Sequence, residues 1–172
     1  MARITKVSIA TVAALVFVAS ASAHFFGPGP SFVAYADGPE HTFCNKAANT
    51  SGWGVVNWAR LNNVEPTDMV TSTGSCYTGT DVWAYSVSLP PGTAGQMSCI
   101  IWTGTANVCD QFRIDISTLG TPTNATGCHE AGHSVGLQHN NSPDYNGCMK
   151  SNTTGAPAVW GPDANTHVNQ RY

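Results

Sequence analysis

Three histidines decide most of what this chain can fold into. They fall within His129-Glu130-Ala131-Gly132-His133-Ser134-Val135-Gly136-Leu137-Gln138-His139. His129 and His133 stand at i and i+4, so both imidazoles project from one face of a helix and can hold a single metal ion. Gly136 suits a helix C-cap with positive φ, and the sharp turn it allows brings His139 back as a third ligand. Three neutral imidazoles leave a tetrahedral ion one open position, the arrangement of a catalytic rather than a closed structural site. Imidazole donors suit zinc, and they also suit copper, iron and nickel; one catalytic Zn2+ is the expected ion. Glu130 can reach a metal-bound water as general base. With six His and three Glu in 172 residues, these five fixed positions arise by chance on the order of once in 100,000.

The start of the chain reads as a secretory signal peptide, residues 1–23. Arg3 and Lys6 give the positive start, Val7 to Val18 is apolar apart from Ser8 and Thr11, and Ala21-Ser22-Ala23 offers a small-x-small cleavage site. The apolar run falls short of the roughly 20 residues of a membrane span, so no stable membrane insertion is expected and the product is extracellular. Removing those 23 residues leaves 149, residues 24–172, enough for one domain with a proper core. Arg3 and Lys6 leave with the signal, so five basic residues face ten acidic ones and the net charge moves from -3 to -5. That sign argues against nucleic acid as a partner.

Six cysteines lie in the remaining chain, at 44, 76, 99, 109, 128 and 148. In an oxidising compartment three bridges are the default, out of 15 possible pairings. Short-range pairing gives Cys44–Cys76, Cys99–Cys109 and Cys128–Cys148.

Hydrophobic periodicity supplies the frame. Ser31 to Ala36 reads as a short strand and Asn49 to Val64 as a helix stopped by Pro66. Asp81 to Leu89 alternates as a half-buried strand ended by Pro90-Pro91-Gly92. Met97 to Trp102 is a short apolar strand, and Gln111 to Ser117 alternates again. Thr121-Pro122 reads as a helix start, with Pro at the first helical position and the helix running to about Val135. Residues 163–172 form a final short helix. The sum is an α+β domain.

The His129–His139 pattern, HExxHxxGxxH, resembles the signature of the metzincin clan of zinc endopeptidases. Met149, the one methionine after it, follows His139 by ten residues in Asn146-Gly147-Cys148-Met149. It matches the clan's Met-turn by order and spacing. Length is similar to that of small secreted bacterial members, matrixin-like or snapalysin-like. The resemblance implies a twisted mixed β-sheet, an active-site helix and a C-terminal helix. It implies a secreted endopeptidase that hydrolyses extracellular proteins or peptides with a zinc-bound water and Glu130 as base, acting as a monomer. A non-catalytic, zinc-stabilised secreted binding protein or effector is the alternative. Three positions depart from the clan's subfamilies: His139 where snapalysin-like members carry Asp, Asn140 after the third His, and Ser151 where others place Tyr.

An edge strand within residues 96–103 is expected to hold the substrate as an added strand. Pro157, Val159 and Trp160 either wall the cleft or pack the C-terminal segment. His24 could chelate copper if it became the N-terminus. His41 and His167 read as surface or helix residues. Asp144 and Asn146 lie in a polar loop where calcium is conceivable, but no EF-hand spacing is present and turn chemistry is favoured.

Overall fold

The computed structural model describes residues 34–142 and 145–172. The expected signal peptide, His24, residues 31–33 of the expected 31–36 strand and Asp144 lie outside the described residues.

A mixed sheet of six strands carries the molecule, with three α-helices among the described residues. The strands are β1 (Tyr35–Ala36), β2 (Glu40–Ala47), β3 (Val70–Thr73), β4 (Val82–Val87), β5 (Gly95–Trp102) and β6 (Val108–Ser117). β6 pairs in parallel with β1 and β4, β4 with β2, and β2 with β3. β5 alone runs antiparallel, hydrogen-bonded to β6. Among the described residues it has no second strand neighbour, so it is an edge strand of the sheet. This is an α+β arrangement, as the periodicity predicts.

The helices are α1 (Thr50–Ala59), α2 (Asn124–Ser134) and α3 (Pro162–Arg171). Asn49 caps α1, its side chain accepting the Gly52 N–H at 2.7 Å. α1 continues into a π-helical turn, Arg60–Val64, so helical backbone does reach the position where the sequence predicts it to stop. α2 starts later than expected. Thr123, not the residue before Pro122, is the N-cap and accepts the Thr126 N–H through its hydroxyl. Pro122 therefore precedes the helix. α3 does place a proline, Pro162, in its first turn.

The core lies between the sheet and α1 and α2. Val82 and Ala84 of β4 and Phe112, Ile114 and Ile116 of β6 meet Val55, Val56 and Ala59 of α1 and Ala131 of α2. Every residue from Ala125 to Leu137 is buried. The periodicity gave no sign of β2 or β3. β2 turns His41, Phe43 and Cys44 inward, and β3 is an edge strand with mostly exposed side chains.

Three disulfides form, with the predicted pairing. Cys44–Cys76 joins β2 to the β3–β4 connection, Cys99–Cys109 staples β5 to β6, and Cys128–Cys148 ties α2 to the segment that carries Met149. Among the described residues no helix is long and apolar enough to cross a membrane.

Candidate metal centre

α2 presents His129 and His133 one turn apart, and the chain leaves the helix at Gly136 with φ +88°. That left-handed residue is where a side chain would be strained, and glycine adopts it freely. The turn returns His139 to the other two. The Nε2 atoms form a nearly equilateral triangle: 3.0 Å from His133 to His129, 3.1 Å from His129 to His139 and 3.2 Å from His133 to His139.

The tautomers follow from the partners on the other ring nitrogens. His129 Nδ1 lies 2.7 Å from the Cys148 carbonyl oxygen, and His133 Nδ1 lies 2.7 Å from that of Leu137. A carbonyl only accepts, so in both rings Nδ1–H donates and Nε2 keeps its lone pair. Two lone pairs held 3.0 Å apart repel unless a cation lies between them. Burial holds all three imidazoles below the ordinary histidine range, His133 down to about 3, so protons do not supply that cation at neutral pH. A tetrahedral ion with Zn–N bonds of about 2.0–2.1 Å needs nitrogens about 3.3–3.4 Å apart. The donor set therefore fits a metal ion. Among the described residues it is the one cluster of three or more such donors that could hold one.

His139 is the most exposed of the three, and its support was not foreseen. Ser151 Oγ lies 3.2 Å from His139 Nδ1. Asn141 grips Ser151 twice: its Nδ2 donates to Oγ at 2.8 Å and its Oδ1 accepts the Ser151 N–H at 3.0 Å. Ser151 stands out in the sequence only as the residue that replaces a tyrosine. Its hydroxyl gives it a different use.

Met149 is fully buried beneath α2. A Cβ on Gly132 would collide with the Met149 sulfur, so glycine lets the helix settle onto it. The backbone around Met149 is also fastened, since its carbonyl accepts the Asn140 N–H at 2.8 Å. Trp160 lies in the same layer, its indole N–H donating to the Cys128 carbonyl at 2.9 Å. It packs under α2 and does not wall the cleft. Val159 is exposed and Pro157 half-buried, and neither lines the cleft.

The cleft has a volume of about 400 Å³ and is lined by the three histidines, Glu130, Thr126, residues 92–97 and residues 151–154. Glu130 is 4% exposed. Burial pushes its carboxyl up to about 8, against a hydrogen bond from the Met97 N–H that lowers it. β5 lies directly on this side chain: a Cβ on Gly95 would sit 2.7 Å from Glu130 Oε1. The expected edge strand is thus β5, and its first three residues line the cleft.

His41 corrects an expectation. It lies on β2 with no exposure, edge-on to Phe43 and Phe112. Ser134 Oγ donates to the Ala131 carbonyl and so accepts from His41 Nε2, 3.0 Å away. The alternation of β2 points this ring inward, where it serves as a core aromatic. His167 lies on α3.

Compared with known protein families and with curated proteins, the chain matches none, so the geometry of its own residues carries the functional argument.

Proposed function

We propose that this protein is a secreted zinc-dependent endopeptidase of metzincin type. The observation that carries the reading is the convergence of three Nε2 lone pairs with the buried Glu130 carboxyl in one cleft. A structural zinc site needs its ligands but has no use for a buried carboxylic acid beside an open cleft. A zinc ion held by His129, His133 and His139 would supply Lewis acidity and lower the pKa of a bound water toward neutrality. Glu130 takes a proton on its carboxylate as the peptide bond is attacked and returns it to the leaving amine. Burial raises the pKa of this carboxyl, and the charge of a bound cation would favour the carboxylate that the first of these tasks needs. The outer edge of β5 orients the substrate as an added strand, with Gly95 to Met97 beside the reacting carbonyl. Disulfides and an apolar leader with a small-x-small end agree with an extracellular site of action.

The test is cleavage of casein by the purified protein and by Glu130→Ala, side by side, with metal content measured on both. We expect about one zinc per chain in each, with chelator-sensitive cleavage by the wild type only. Equal cleavage by the two would refute the role of Glu130. Tight zinc without cleavage of any substrate would make the protein a zinc-stabilised binding protein.

A further inference from the structure

The backbone that carries Met149 rests on a short strap, residues 158–160. Its three consecutive carbonyls each accept a hydrogen bond from a different part of the chain. Asn63 Nδ2 donates to Ala158 at 3.3 Å, the Cys148 N–H to Val159 at 2.8 Å and the Tyr145 hydroxyl to Trp160 at 2.8 Å. The first of these fastens the strap to the π-helical turn after α1. The other two lead to metal ligands.

One route keeps to the main chain until it reaches the imidazole. The Val159 carbonyl holds the Cys148 N–H, and the Cys148 carbonyl accepts from His129 Nδ1. The other route passes through a side chain. The Tyr145 phenol donates its single proton to the Trp160 carbonyl and accepts the Met149 N–H at 3.2 Å. The Met149 carbonyl accepts the Asn140 N–H at 2.8 Å, and Asn140 directly follows His139. Both backbone groups of Met149 are therefore engaged, one by Tyr145 and one by the residue after the third ligand. The site of the phenol is shaped to receive it. A Cβ on Gly147 would press on the Tyr145 hydroxyl and on the Val159 carbonyl, so glycine lets ring and strap close on this turn. Burial holds the phenol above its ordinary range, so it keeps the proton it donates.

We propose that Tyr145 is a positioning residue for the third metal ligand: its hydroxyl fixes the Met149 peptide to the strap, and that peptide sets where His139 stands. This rests on the metal centre of the reading above and not on peptide cleavage. The effect falls on one ligand. His133 takes its orientation from the Leu137 carbonyl, and Cys148, which orients His129, has its own anchors in Val159 and the bridge to Cys128.

Tyr145→Phe keeps the ring and removes the hydroxyl alone, leaving the Met149 N–H and the Trp160 carbonyl without that partner. Zinc affinity is measured by competition with chelators of graded strength in the wild type, Tyr145→Phe, His139→Ala and the double variant. Loss of a group that orients a ligand weakens metal binding roughly 10–100-fold, and a group acting through one intervening peptide belongs at the lower end, about tenfold. In the His139→Ala background the same substitution is expected to change affinity by less than about twofold, because the ligand through which it acts is gone. A merely structural role would cost the same in both backgrounds, and that result would overturn the proposal. So would wild-type affinity in Tyr145→Phe. Amide hydrogen exchange on the metal-free protein gives a second measurement. Exchange is expected to quicken at Met149 and Asn140 in Tyr145→Phe while Ala131 and Gly132 of α2 hold their wild-type rates; an unchanged Asn140 would also overturn it. A wild type that binds no zinc sinks the metal centre and this inference with it. Zinc binding that Tyr145→Phe leaves untouched sinks this inference alone, and the endopeptidase reading then stands or falls on casein cleavage.

Discussion

Ser151 Oγ lies 3.2 Å from Nδ1 of His139, and Asn141 holds that serine from both its hydroxyl and its amide. His129 and His133 donate to backbone carbonyls, which a side-chain substitution cannot remove. His139 instead depends on a side chain. Groups that orient a metal ligand change affinity by roughly 10–100-fold when lost. Ser151→Ala is expected to weaken zinc by an amount in that range, read by competition with a coloured chelator, and Ser151→Thr to restore it. An unchanged dissociation constant in Ser151→Ala would show that the triad orients itself.

Cys128 and Cys148 immediately precede His129 and Met149. The Cys148 carbonyl is also the acceptor for His129. A bridge with a sequence separation of 20 contributes about 3 kcal/mol by restricting the unfolded chain. Replacing both cysteines by Ala should lower the melting temperature and also weaken zinc. Replacing Cys99 and Cys109 should lower the melting temperature with zinc affinity close to wild type. Calorimetry and metal competition on the two double variants check this; matching losses of affinity would contradict it.

His41 stays neutral in the folded protein down to about pH 3 because burial penalises its charged form. In the unfolded chain it takes up a proton near pH 6.5. The unfolded state thus binds more protons below that value. The stability attached to neutral His41 is complete above about pH 6.5 and is lost as pH falls toward 3, at about 1.4 kcal/mol per pH unit. Urea unfolding of the metal-free protein at several pH values should show this slope, and His41→Leu should make it shallower by about that amount.

Gly132 and Gly95 are among the glycines where an added Cβ meets its neighbours too closely. Gly132→Ala would drive a methyl group into the Met149 sulfur, an overpacking that costs about 1–3 kcal/mol. Denaturant titration measures it. Gly95→Ala would instead press on the Glu130 carboxyl. The expected result is a fall in kcat with zinc content and melting temperature near wild type. A fall in zinc content would mean that the strand supports the ligands rather than the acid.

The candidate metal ligands were legible because metal chemistry imposes a spacing: i, i+4 on a helix, then a glycine, then a return. Cys128–Cys148 was legible from sequence proximity, and its bearing on the site from adjacency to His129 and Met149. β4 and β6 announced themselves by alternation. β2 did not, because one of its inward positions is a histidine that reads as polar while its ring packs edge-on to Phe43 and Phe112. β3 offers Val-Thr-Ser-Thr with little to bury. Trp160 left two uses open, and the choice depended on an indole N–H reaching the Cys128 carbonyl, a contact across 32 residues. Ser151 and Asn141 are ordinary loop residues until the turn at Gly136 brings His139 beside them.

From Ala125 to Leu137 every residue of the segment that carries His129 and His133 is buried. The element that carries the candidate metal site is therefore also the keystone of the domain. Substitutions there disturb the core and the candidate metal site together, so the helix has little freedom to drift. Novelty in a lineage built on this plan must come from the rim, where β5, the Pro90–Ala94 turn and residues 151–154 can change without dislodging the centre.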